Sequence, residues 1–151
     1  MLLKARLLTS YVKSKFDMLT CIERSKKIAP EVFLASVQEI GEVISGIVEQ
    51  CDIAIDSFSG PDSRIAMLIF DWIENLCEFA ALFSGASIKA ELLDNQRAFL
   101  LSISLEGLDA HKKFEADKEL VRKTAAYNGR VALDVFSSRV SVKVQLPTEV
   151  M

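Results

Sequence analysis

The sequence predicts an α+β protein, mostly helical: a long antiparallel helical hairpin followed by a small α/β unit that closes in a β-hairpin. Three observations carry this. Apolar residues recur every three or four positions from Leu3 to Phe83, that stretch is punctuated at Pro30 and at Gly60-Pro61, and the segment from Val131 to Leu146 alternates apolar and polar residues.

Leu3, Leu7, Leu8, Tyr11, Val12, Phe16, Leu19 and Ile22, with Lys and Arg between them, predict an amphipathic helix over residues 2–27. Pro30 disfavours a helical residue before it but suits the first turn of a helix, so a second helix begins there. Its stripe, from Phe33 through Val37, Ile40, Ile44, Val48 and Cys51 to Ile55, extends the helix from Glu31 to Asp56. It stops at the turn around Ser59, Gly60, Pro61 and Asp62. A third helix runs from Pro61 to Phe83, ends at Gly85, and carries more apolar residues than one stripe needs. A hairpin this apolar calls for a second copy to cover it. The result is a dimeric four-helix bundle, with Ile65, Ile69, Trp72, Ile73 and Leu76 at the interface.

After Gly85 the period changes. Ser87 to Leu93 alternates weakly, as a short strand does, and Asp94 and Asn95 offer N-caps for a helix from Gln96 to His111. Lys112 to Asn128 reads as one more helix, closed near Asn128-Gly129. Val131, Leu133 and Val135, then Val140, Val142, Val144 and Leu146, make two strands joined across Ser137-Ser138 and ended by Pro147. The organisation is therefore an N-terminal helix (1–28), a dimerising hairpin (29–86) and a small α/β subdomain (87–151), treated as one compact domain.

A chain of 151 residues, half of them apolar, buries roughly 70% of its unfolded surface and folds without staples. Its net charge of −3 and pI near 5.3 come from mixed charges with no basic face, which argues against a nucleic-acid partner. Cys21, Cys51 and Cys77 are odd in number and far apart, so they read as reduced thiols and predict a cytoplasmic location. The first eight residues carry charges and no cleavage site, and no apolar run approaches the ~20 residues that span a bilayer. The richest segment, Ile65 to Phe83, is interrupted by Asp71, Glu74 and Glu78, the polar face of a helix. No membrane partner is predicted.

His111 is the single histidine, and no two cysteines share a helical turn, so no metal site of histidine and cysteine is expected. A Ser-His-Asp or Cys-His arrangement would need that same His111. Between Asp109 and Lys112-Lys113 it reads as a solvated imidazole near a helix end, with a phospho-acceptor or general base as the alternative. Neither glycine-rich phosphate-loop pattern occurs. The chain thus has no catalytic residue set and calls for no cofactor.

The order of elements, and the segment Gly41-Glu42-Val43-Ile44-Ser45-Gly46-Ile47, resemble bacterial histidine phosphotransferases of the ChpT type. Those proteins carry the phosphorylated histidine on a dimerising hairpin followed by a degenerate kinase-like fold. Their acceptor region reads His-Asp, two apolar residues, Ser, Pro and an apolar residue. Here Glu42 and Ser45 match, Gly41 stands in place of the histidine and Gly46 in place of the proline. Phe99 to Ala110 resembles the helix that in active kinases reads apolar-Leu-Asn-Leu-Leu-x-Asn-Ala-x-x-Ala and holds magnesium and phosphates through its asparagines. Ser102 and Glu106 occupy the asparagine positions, so the resemblance implies a lost nucleotide site. Arg139 to Pro147 is similar to the last strand of that fold.

The resemblance implies a histidine-phosphotransferase-like protein of two-component signalling without phosphotransfer, which binds a response-regulator receiver domain and pairs with itself. An unrelated helical interaction or chaperone-like subunit is the alternative, and an active phosphotransferase using His111 the second.

Overall fold

The computed structural model describes residues 2–25, 28–55, 62–95, 97–109 and 112–148. His111, the turn at residues 59–61 and the side chain of Cys21 lie outside the described residues. Four helices and five strands follow in order: α1 (Leu2–Ser25), α2 (Pro30–Ser45), β1 (Gln50–Ile55), α3 (Ser63–Ala80), β2 (Ser87–Asp94), β3 (Ala98–Glu106), α4 (Lys118–Ala126), β4 (Arg130–Val135) and β5 (Val140–Pro147). The strands form one sheet in the order β1-β2-β3-β5-β4, with β1 and β2 parallel and the other pairs antiparallel. The fold is α+β, as the sequence predicts, and both the short strand after Gly85 and the closing β-hairpin are present.

The helical hairpin differs from expectation. It is formed by α1 and α2, whereas the second predicted helix is cut short at Ser45. After Gly46 the backbone makes tight turns, with Ile47 N–H donating to Ile44 O, and Gln50–Ile55 becomes a strand. The segment supports both readings: Val48, Cys51 and Ile55 are helically spaced, but Cys51, Ile53 and Ile55 alternate and two of them are β-branched. Pairing with β2 decides between them.

The helix expected from Gln96 to His111 is strand β3. Phe99, Leu101, Ile103 and Leu105 are all buried on one face, and Leu100 between them hides the alternation in the sequence. Asn95 caps no helix; its Oδ1 accepts from the N–H groups of Arg97 and Ala98 and so tightens the β2–β3 turn. The helix expected over Lys112 to Asn128 is confined to α4. Asp117 is its N-cap, and Asn128 follows its end in a left-handed conformation at φ 61°.

The helices lie on one face of the sheet. There α3 packs on β2 and β3 and α4 on β4, while α2 borders β1 and α1 rests on α2 and α3. Ile65, Ile69, Trp72, Ile73 and Leu76 of α3 are 0–1% exposed. They fill the core of their own chain, so the apolar excess that suggested a dimer seam is satisfied by the sheet. Trp72 Nε1–H donates to Thr124 Oγ1 at 2.9 Å and Thr124 donates onward to Leu120 O at 2.7 Å, which ties α3 to α4. Tyr11 stacks on Phe70, with ring planes 2° apart, and holds α1 against α3. The opposite sheet face is open and mostly polar, with Leu93 and Leu100 side by side on it. Gly107, at φ +72°, lies where a Cβ would come within 2.4 Å of Gly85 O, so only glycine lets the end of β3 cross the α3–β2 turn.

Candidate functional site

Gly41, Glu42 and Ser45 line a hollow between α2 and β1. Gly41 is half-buried, a Cβ on it would lie 3.4 Å from Ile53 Cδ1, and Ser45 Oγ donates to Gly41 O at 2.7 Å. This face of α2 looks toward the edge strand rather than along a bundle of hairpins. Neither α1 nor α2 contains a histidine.

Ser102 and Glu106 stand on β3, out of phase with its buried residues, and so point to the open face of the sheet. They do not belong to a helix and have the whole sheet between them and α3. Ile73-Glu74-Asn75-Leu76-Cys77-Glu78-Phe79-Ala80 of α3 also resembles that kinase-helix pattern in part, with Asn75 at the first asparagine but Glu74 at a leucine and Phe79 at the second asparagine. The sequence contained this signal, but the apolar richness of α3 reads equally as a bundle helix.

Around Asn75 the outer side of α3 forms two adjoining hollows of about 170 and 370 Å3, bordered by α1, the segment before α4, and α4. Asn75 Oδ1 is buried without a hydrogen-bond partner among the described residues. The Phe79 ring, one turn on, packs edge-to-face on the buried Phe114. Asp71, Glu74 and Glu78 of α3 face Glu115, Asp117 and Glu119 across these hollows. Lys15, Lys123 and Arg122 are cations beside these hollows, and Arg122 pairs with Glu119 at 2.7 Å. Lys15 is committed to Asp71 at 2.7 Å, and Tyr11 OH donates to the same carboxylate oxygen at 3.0 Å. Burial pushes the Glu74 carboxyl up to about 7, with Glu78 and Asp71 adding to the shift. Burial beside Asp71 likewise holds the Tyr11 hydroxyl well above its usual range. The hollows carry more carboxylates than cations. Among the described residues no group of three His, Cys, Asp or Glu side chains is placed to hold a metal ion.

A second surface lies on α1. Leu8, Val12, Phe16 and Leu19 are 49–70% exposed and share one helical face. No helix among the described residues is long and apolar enough to cross a membrane.

No protein-family model and no curated protein sequence matches the chain. Solved structures do. The histidine kinase domain of the blue-light-activated kinase EL346 from Erythrobacter litoralis superposes with a TM-score of 0.70 at 13% identity, over 95% of this chain and 80% of that one. The catalytic domain of histidine kinase ThkA gives 0.55 at 15% identity, over 83% and 97%. Histidine kinase AdeS of Acinetobacter baumannii gives 0.55 at 12% identity, over 91% and 76%. The chain therefore has a histidine-kinase-like fold.

Proposed function

We propose that this chain is a histidine-phosphotransferase-like component of two-component signalling that has lost both its phosphoryl and its nucleotide chemistry. It works by docking the receiver domain of a response regulator, as a regulator or scaffold. One observation supports this reading: a histidine-kinase-like fold spans 95% of the chain, while α1 and α2 contain no histidine. The hairpin has no imidazole to form a phosphoramidate. On α3, Phe79 takes the second asparagine position, and carboxylates ring the first. Like charges about 4 Å apart repel by about 4 kcal/mol at an effective dielectric of 20, so unpaired carboxylates here disfavour a triphosphate.

In this reading the α1 stripe pairs two copies, replacing the α3 seam that the sequence suggested, and the rest of the hairpin meets the receiver. The kinase-like fold counts against an unrelated helical subunit. The test uses a receiver domain carrying radiolabelled phosphate, mixed with the protein in magnesium buffer. Expected are receiver binding by NMR titration and no acid-labile label on the protein. Label that appears, and disappears in His111→Ala, would make His111 an acceptor and overturn the reading. Absence of binding to every receiver domain of the source organism would also overturn it.

A further inference from the structure

The sheet ends at β4, which pairs with β5 on one side and has no neighbour among the described residues on the other. Its register is unbroken from Arg130 to Val135, and it carries neither lysine nor proline, residues that commonly blunt such an edge. Phe136 N–H donates to Arg139 O, so residues 136 and 139 form a hydrogen-bonded pair. Such pairs alternate along an antiparallel ladder. Residues 130, 132 and 134 therefore turn their main-chain groups to β5, and Val131, Leu133 and Val135 turn theirs outward.

The two faces of β4 differ. Val131, Leu133 and Val135 stand opposite Val144, Val142 and Val140, which are buried beneath the helices, and so share the helix side of the sheet. The helix layer stops short of the last two: Leu133 is 39% and Val135 40% exposed. Val121 is 41% exposed, on the flank of α4 turned away from Glu119 and Lys123, which line the hollow shared with α3. An apolar shelf is left uncovered along this edge.

Arg130, Ala132 and Asp134 stand on the open side and are exposed. Opposite Arg130 and Asp134 on β5 are Gln145 and Ser141, both uncharged. Lys143 stands opposite Ala132, and Arg139 is stacked over the Phe136 ring at 4.9 Å. Among the described residues neither Arg130 nor Asp134 is in an ion pair.

These positions make the edge complementary to itself. Two copies of β4 related by a twofold axis normal to the sheet run antiparallel, keep their helix layers on one side, and bring like faces together. With Ala132 on the axis, Arg130 of each copy meets Asp134 of the other, and Val131 meets Leu133 as a hydrogen-bonded pair. Sliding the register by two residues sets Arg130 against Phe136 or Ala132 and loses both charge pairs.

We propose that β4 pairs with β4 of a second copy in this register, joining the two sheets edge to edge. The seam closes two Arg130–Asp134 pairs and brings the two apolar shelves side by side. Six residues a side is small against the about 20–30 of a stable complex, so the Kd is on the order of hundreds of micromolar. At the micromolar concentrations of a sedimentation experiment the α1 contact still governs assembly. The β4 seam is independent of it and forms as concentration rises.

The test follows amide exchange of the full chain by NMR from about 20 μM to about 1 mM. Exchange at Val131, Leu133 and Val135 should slow severalfold over that range, with β2 and β3 unchanged. Arg130→Glu places two acidic pairs across the seam and Asp134→Lys two basic pairs, so each variant alone should lose the slowing. An equimolar mixture of the two variants should regain it, because the acidic edge of one matches the basic edge of the other. Both changes in one chain exchange the charges and should pair like the parent. Phe16→Asp should keep the slowing, which separates this seam from the α1 contact. Exchange independent of concentration in the parent would overturn the proposal and leave the edge to a different partner. Single variants that slow as the parent does, a mixture that does not, or slowing lost in Phe16→Asp would also overturn it.

Discussion

The Phe79 ring on α3 meets the Phe114 ring edge to face, with centroids 5.2 Å apart and planes inclined at 64°. Phe79 contacts Phe83 in the same manner, at 5.3 Å and 67°. This aromatic file closes the end of the helix that carries Asn75 and anchors the segment leading into α4. Phe114→Ala should therefore cost about 3 kcal/mol, the low end for a buried aromatic truncation, and lower the melting temperature by about 10 °C. A thermal melt followed by circular dichroism checks this. A loss below about 1 kcal/mol would mean that the ring is not part of the packed core.

The Trp72–Thr124 hydrogen bond makes a separate prediction. Thr124→Val keeps the side-chain shape but leaves the indole N–H buried and unpaired, which should cost about 1–3 kcal/mol in chemical denaturation. Thr124→Ser keeps the hydroxyl and should lose clearly less.

Self-association should depend on α1 and not on α3. Phe16→Asp changes a side chain that is 70% exposed and should give a folded monomer by sedimentation equilibrium, with a melting temperature close to the parent's at low concentration. Ile69→Asp buries an unpaired carboxylate in the core and should unfold the chain rather than dissociate it. A folded, monomeric Ile69→Asp protein would return the interface to α3.

Glu74 gives the stability a pH dependence. Its carboxyl titrates near 7 in the folded chain against an ordinary value of 4.5, so folding favours the protonated form. The stability linked to this group is fully present below about pH 4.5 and is lost as pH rises through 7. Glu74→Gln should leave the melting temperature nearly unchanged at pH 5 and raise it at pH 8, flattening the profile between them. Equal effects at both pH values would show that Glu74 does not titrate in this window.

Much of the fold was legible in the sequence because local pattern and tertiary role agree there. The strand after Gly85 and the β4–β5 hairpin fall where alternation places them, α2 starts at Pro30, and α3 starts two residues after the expected Pro61. The misread elements are β1 and β3, whose apolar residues fit both periods and whose strand character comes from partners elsewhere in the chain. Reading β3 as a helix put Ser102 and Glu106 on a helix face, whereas they stand on a strand and point to the open face of the sheet. The likeness of the segment at Gly41 to an acceptor region is short, and α1 and α2 contain no histidine.

Calorimetric titration of the full chain with magnesium-ATP separates a histidine-kinase-like fold without nucleotide chemistry from one that retains it. Only heats of dilution are expected up to about millimolar nucleotide, at pH 6 as well as pH 8. The same is expected for Phe114→Ala, because removing the ring leaves the carboxylates in place. A saturating isotherm with a Kd on the order of micromolar for the unmodified protein would show that the nucleotide site is intact.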